Sequence, residues 1–210
     1  MSDHRVERNE LLAQHMIKKI EERNMEGYYA ATKEDALKKA LELIPNGSTV
    51  SKGGTLSASE IGLVKALREG NYDFRPFDSS TKEAAKESKN FCMNADYFLC
   101  SANAITQDGI IVNIDGRANR VAAICYGPEN VLMIVGMNKV TADLDSAIKR
   151  ARNEASPINA MRFQKTPCTK TGYCINCKST DTICCQFLVT RFSRDKGRIK
   201  IILVGEELGF

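Results

Sequence analysis

The chain has 210 residues, 43% of them hydrophobic, and a formal net charge of +4. That length fits one large domain, or one domain with a small appendage, and that apolar fraction supplies a core. The small charge, the lack of any long Lys/Arg run and the absence of tryptophan argue against nucleic acid as a partner. No apolar run approaches the roughly 18 residues of a membrane span, so a membrane is not expected either. The first residues are charged and amphipathic rather than an apolar signal core, so a cytoplasmic location is expected. There the eight cysteines should be reduced, metal-bound or redox-active rather than paired in structural disulfides.

Three stretches follow from the patterning: an N-terminal helix (1–24), an α/β ligand-binding core (25–158) and a Cys-rich segment with C-terminal strands packed on the core (159–210). Leu12, Met16 and Ile20 recur at four-residue spacing in the first helix, about Val6 to Arg23. Gly27 to Ala31 reads as a strand, and Thr32 as the N-cap of a helix that ends at Pro45-Asn46-Gly47. Ser48 to Ser51 is a strand leading into Lys52-Gly53-Gly54-Thr55 and a helix, with Ser57 and Glu60 at capping-box spacing. A strand (Asn71 to Arg75) and a helix (Thr81 to Phe91) come next. Asp96 to Ala102, Ile110 to Ile114, Val121 to Tyr126 and Val131 to Val135 are short apolar segments set off by turn residues, and read as closely connected strands. A helix from about Thr141 to Ala155 precedes the cysteines. Two final strands, Gln186 to Phe192 and Ile199 to Val204, flank a polar turn and predict a terminal hairpin. The alternation predicts an α/β fold with a mainly parallel central sheet and flanking helices.

In such a sheet, ligands bind at the carboxyl ends of the strands. The loop Lys52-Gly53-Gly54-Thr55 stands at such a place. Its glycines allow close backbone approach to an anion, Lys52 adds charge, and Thr55 and Ser57 add hydroxyl donors. A tight turn would use the same residues. The stretch from Asn103 to Lys139 is dense in Asn, Asp and Gly beside its strand ends. Asn103, Thr106, Asn119, Arg120 and Lys139 are candidate ligand-binding residues there, with Asp108 the candidate catalytic acid or base. Turns alone also favour these residue types.

The runs Ser101-Ala102-Asn103-Ala104-Ile105-Thr106-Gln107-Asp108-Gly109 and Asn113-Ile114-Asp115-Gly116-Arg117-Ala118-Asn119-Arg120, followed by Tyr126-Gly127-Pro128 and Gly136-Met137-Asn138-Lys139, resemble the LUD family of lactate-utilisation-type proteins. Gly205-Glu206-Glu207-Leu208-Gly209-Phe210 is similar to the close of its single-domain members. The resemblance implies a fold like that of the ribose-phosphate isomerase, glucosamine-phosphate deaminase and CoA-transferase superfamily, whose members bind phosphorylated sugars or acyl-CoA on strand-end loops. It supports an anion cradle at Gly53-Gly54-Thr55 and a setting in lactate or related organic-acid metabolism. No match to the nucleophilic glutamate of CoA-transferases is present, and the capping box accounts for Glu60.

Five of the cysteines crowd between Cys168 and Cys185. Cys168-x5-Cys174-x2-Cys177-x6-Cys184 offers four sulfurs to one centre, enough for a tetrahedral zinc or a [4Fe–4S] cluster, and the spacing leaves that choice open. Free thiols or a redox pair at Cys174 and Cys177 are the alternatives. Cys92, Cys100 and Cys125 read as core residues, and Cys185 as a spare ligand or the start of a strand. Two functions fit these features. One is an enzyme or enzyme subunit acting on a small anionic metabolite. The other is a non-catalytic sensor or partner subunit of a redox complex, with structural zinc. A homo-oligomer is expected in either case, and a redox protein is the candidate macromolecular partner.

Overall fold

The computed structural model describes residues 3–78 and 80–210. Its centre is a six-stranded, all-parallel sheet in the order β1 (Glu26–Ala30), β10 (Ile199–Val204), β7 (Asn130–Gly136), β4 (Tyr97–Cys100), β2 (Thr49–Lys52), β3 (Asp73–Pro76). A smaller mixed sheet runs β8 (Val140–Thr141), β5 (Ala104–Thr106), β6 (Ile111–Asp115), β9 (Gln186–Thr190).

The central strands are apolar almost throughout because both faces are covered. Side chains alternate across the sheet. Met133, Val135, Ile201 and Leu203 join a cluster with Met16 and Ile20 of α1 (Asp3–Glu21) and Ile124 of α6 (Asn119–Tyr126). Leu132, Ile134 and Ile202 join another with Ala36 and Ala40 of α2 (Lys33–Leu43) and Leu63 and Leu67 of α4 (Leu63–Glu69). Thr32 and Thr81 cap α2 and α5 (Lys82–Met93) as their sequence positions suggest, accepting from the backbone N–H groups of Asp35 and Ala84. Among the described residues, no helix is long and apolar enough to cross a membrane.

Five expectations are corrected. Val121 to Tyr126 is helical, because the ends of α6 are satisfied by side chains distant from its apolar residues. The Asp115 carboxylate accepts from the N–H groups of Arg117, Arg120 and Val121. The Arg198 guanidinium donates to the carbonyls of Ala123 and Ile124. Cys125 on this helix is exposed, not core, while Cys92 and Cys100 are buried as expected.

The last two strands form no hairpin: β9 pairs with β6, and β10 lies between β1 and β7. The segment joining them is pinned to the end of α1 by Ser193 N–H to Arg23 O and Gly197 N–H to Asn24 O. Ser57 and Glu60 form no capping box. The helix α3 (Ser57–Glu60) is a single turn, and both side chains are engaged elsewhere. Finally, the helix expected to Ala155 is α only as far as α7 (Leu144–Arg150). It widens into a π-turn at Ala151–Ala155 and continues as α8 (Ser156–Ala160). Pro157 lacks the N–H that a regular helix needs there, and the Ser156 hydroxyl takes the Ala151 carbonyl at 2.8 Å.

Candidate functional site

Segments following five of the six central strands meet in one cleft of about 710 Å3. Gly54, Thr55 and Ser57 follow β2, and Phe77 follows β3. Ser101 and Asn103 follow β4, Lys139 follows β7, and Gly209 and Phe210 follow β10. This is where a parallel sheet presents its ligand site: strand order reverses around β2, so the loops diverge and leave a crevice. The outer wall comes from Asp115 to Arg120, from Asn159 to Lys165 and from Thr180 to Cys185.

Charge in the cleft is unbalanced. Arg117, Arg120, Lys139, Arg162 and Lys165 line it, against the side-chain carboxylates of Asp115 and Asp181 alone among the described residues. Asp115 is already spent on the start of α6 and lies 3.7 Å from Arg120 Nε. Arg120 is fixed in turn, donating to Asn103 Oδ1 at 3.2 Å and to the Ile114 carbonyl.

Lys139 lies at the cleft floor and is only 3% exposed. Its ammonium donates to Ser57 Oγ at 3.1 Å and Ser101 Oγ at 3.0 Å. No described carboxylate forms an ion pair with it. Burial, and then the charge of Arg150, bring its pKa down to about 8. Gly209 passes over this group, held by its N–H donating to Glu60 Oε2 at 2.8 Å. A Cβ at Gly209 would stand 3.1 Å from Ser57 Oγ and 3.3 Å from Lys139 Nζ, so glycine is what lets the C-terminal segment cross there.

The structure thus brings together six of the expected ligand-binding residues: Gly54, Thr55, Asn103, Asn119, Arg120 and Lys139. It leaves out four other candidates. Lys52 is half-buried, with burial lowering its pKa, and Gly53 gives its N–H to the Leu99 carbonyl at 3.0 Å. Neither lines the cleft. By contrast, the N–H groups of Gly54, Thr55 and Leu56 meet no protein acceptor among the described residues. Thr106 is fully buried and closes a turn, its hydroxyl accepting from Ile110 N–H at 2.8 Å. Asp108 is also away from the cleft. Its carboxylate forms an ion pair with Arg23 at 2.5 Å and accepts from the Thr106 hydroxyl, which removes the geometric support for an acid–base role. The sequence marks Ser57 both as a cap and as a hydroxyl donor beside the loop, but it does not single out Ser101, Arg117 or Arg162. A serine directly after the all-apolar β4 was the available signal for Ser101.

A second, smaller cavity of about 60 Å3 adjoins the cleft and shares Ser156, Thr182 and Ile183 with it. Cys168, Cys174, Cys177 and Cys184 all line it. Burial raises the Cys184 thiol, and the other three cysteines act in the same direction. The four are gathered, yet no three His, Cys, Asp or Glu side chains among the described residues are placed to hold a metal ion. Cys185 turns the other way and lines the cleft, its N–H donating to the Asp115 carbonyl at 3.0 Å.

The LUD domain model matches residues 13–204. A crystal structure of a DUF162 family protein from Deinococcus radiodurans is similar in fold, with a TM-score of 0.54 at 12% identity over 93% of this chain and 98% of that one. A structure of eIF2B delta from Chaetomium thermophilum gives a TM-score of 0.38 at 16% identity, over 68% of this chain and 57% of that one. No curated protein matches the sequence. Since the family model runs through nearly the whole of both sheets, the chain belongs to the LUD domain family.

Proposed function

We propose that the cleft binds a small anionic metabolite, a carboxylate or a phosphorylated compound, and that this is the function of the chain in organic-acid metabolism. The observation that carries the reading is Lys139: a buried cation with no ion-pair partner among the described residues, at the floor of a cleft lined by five cations. A buried charge is tolerated when something compensates it, and an anionic ligand supplies that compensation. The N–H groups of Gly54 and Thr55, which meet no acceptor among the described residues, and the guanidinium of Arg120 add donors on the same walls.

Calorimetric titration with inorganic phosphate, pyruvate and citrate tests this. At least one should bind, with affinity falling as salt rises. Gly54→Val should keep the fold, since a Cβ at Gly54 meets nothing within 4 Å. Its branched side chain would fill the space beside these amides and weaken binding about tenfold, or ~1.4 kcal/mol. Equal binding of all three anions by wild type and variant would detach the loop from the site.

The cysteine cavity favours a second reading: a resident zinc ion or [4Fe–4S] cluster held by Cys168, Cys174, Cys177 and Cys184. Four thiols in one pocket are the donor set either centre takes, and binding would draw the sulfurs closer than they stand. A cluster would suit a redox protein partner; zinc would pin the cleft wall, as in a sensor or partner subunit. Anaerobic purification with metal analysis and a visible spectrum should give near-stoichiometric zinc, or iron with a brown chromophore, lost in Cys177→Ser. Metal-free protein with all four thiols titratable would remove this reading.

A further inference from the structure

We propose that Lys139 is a nucleophilic amine that forms an imine with an anionic carbonyl compound, a 2-oxo carboxylate or a phosphorylated aldehyde, with Ser57 and Ser101 relaying the protons. The inference rests on the anion-binding reading and names its substrate class.

Three observations carry it. Lys139 Nζ lies at the cleft floor between two hydroxyls, at 3.1 and 3.0 Å, and an ammonium has three donors, so one direction remains for a ligand. Ser57 Oγ and Ser101 Oγ are themselves 3.4 Å apart, Ser57 donating to Ser101, so the amine and the two hydroxyls form one continuous hydrogen-bonded path. And the surroundings hold the amine near neutrality: with a pKa of about 8 rather than 10.5, roughly a tenth is unprotonated at pH 7, against roughly three parts in ten thousand for an ordinary lysine.

The step balances without an outside oxidant or reductant. The Nζ lone pair attacks the carbonyl carbon, forming the N–C bond while the π pair moves to oxygen, which takes a proton from one serine hydroxyl. Nitrogen then loses a proton to the relay. The carbinolamine oxygen takes a second proton and leaves as water as the C=N bond forms, and the iminium nitrogen returns its remaining proton to the relay. The net change is amine plus carbonyl to imine plus water, and it activates the carbon next to the imine for proton loss. The carboxylate or phosphate of the substrate sets its orientation against Arg120, whose charge acts on Lys139.

Borohydride trapping tests the proposal on the full chain. Protein is incubated with pyruvate or with pyridoxal 5′-phosphate, reduced, digested and mapped by mass spectrometry, beside calorimetric binding of the same two compounds and of phosphate. The expected result is one reduced adduct per chain, at Lys139, with a trapping rate that climbs with pH and levels off near 8. Adduct with pyruvate marks the 2-oxo acid class, and adduct with pyridoxal 5′-phosphate alone marks the phosphorylated aldehydes. Lys139→Arg keeps the charge and should give none; if it fails to fold, the mapped position in wild type decides. Pyruvate or pyridoxal 5′-phosphate that binds in competition with phosphate, yet gives no adduct or adducts spread over surface lysines, overturns the imine and leaves the anion site standing. No binding of any of the three overturns both.

Discussion

Lys139→Met should unfold at a higher temperature than wild type at pH 7 while losing anion affinity about a hundredfold. The amine titrates near 8 in the fold and near 10.4 in an unfolded chain. Between those values the unfolded chain binds the extra proton, so wild-type stability rises with pH from about 8 to about 10.4. Below 8 both states are protonated, and the penalty for holding the ammonium is present in full, at about 3 kcal/mol. Methionine removes that penalty and the pH dependence with it. It leaves the hydroxyls of Ser57 and Ser101 with each other at 3.4 Å, which takes back part of the gain, so the net is about 1–2 kcal/mol, or roughly 2–8 °C. The ligand loses its charged partner, worth about 2.7 kcal/mol for a hundredfold. Thermal unfolding between pH 6 and 11, with phosphate titration at pH 7, reads both. A variant that is less stable than wild type, and whose unfolding still shifts between pH 8 and 10.4, would make Lys139 a structural residue.

Arg150→Lys should be the most damaging conservative change near the site. Arg150 is 9% exposed and forks between three acceptors: the Asn138 carbonyl at 3.2 Å, the Asn103 carbonyl at 2.5 Å and Glu154 Oε1 at 3.3 Å. It thereby ties the turn that carries Lys139 to the loop that carries Asn103, on which Arg120 also leans. A lysine has one nitrogen on a flexible stem and cannot span that fork. Two backbone carbonyls are left short of a donor, for a loss of about 2–3 kcal/mol, a fall in Tm of roughly 4–12 °C, and about tenfold weaker anion binding as both loops relax. Thermal unfolding and titration of this variant check it. An unchanged Tm would mean that the fork adds nothing to the fold.

The architecture was legible where the chain states it locally. Val131 to Val135 and Ile201 to Val204 are unbroken apolar runs because both faces of their sheet are covered, and Thr32 and Thr81 announce the helices they cap. α6 was not legible. Its six residues from Val121 to Tyr126 look like a strand, and the groups that satisfy its ends, Asp115 and Arg198, are far apart in sequence. The site was half legible for a related reason. Gly54, Asn103, Arg120 and Lys139 stand shortly after the ends of β2, β4, β6 and β7, so position alone points to them. Composition cannot tell which end of a sheet a polar loop occupies, however. Thr106 and Asp108 are as polar as Asn103, but they close a turn of the smaller sheet onto Arg23. Arg150 shows the same limit: it fits an ordinary helix position by spacing, and only tertiary packing sets its guanidinium on the Asn138 and Asn103 carbonyls.

Diffraction from crystals soaked in phosphate and in pyruvate tests the central claim most directly. The account predicts an anion on the cleft floor, with an oxygen, or for trapped pyruvate the former carbonyl carbon, at Lys139 Nζ, and with donors from Arg120 or the Gly54–Thr55 amides about 2.7–3.2 Å away. Anions that settle only on other surfaces, with Nζ still bonded to Ser57 and Ser101 alone, would contradict it.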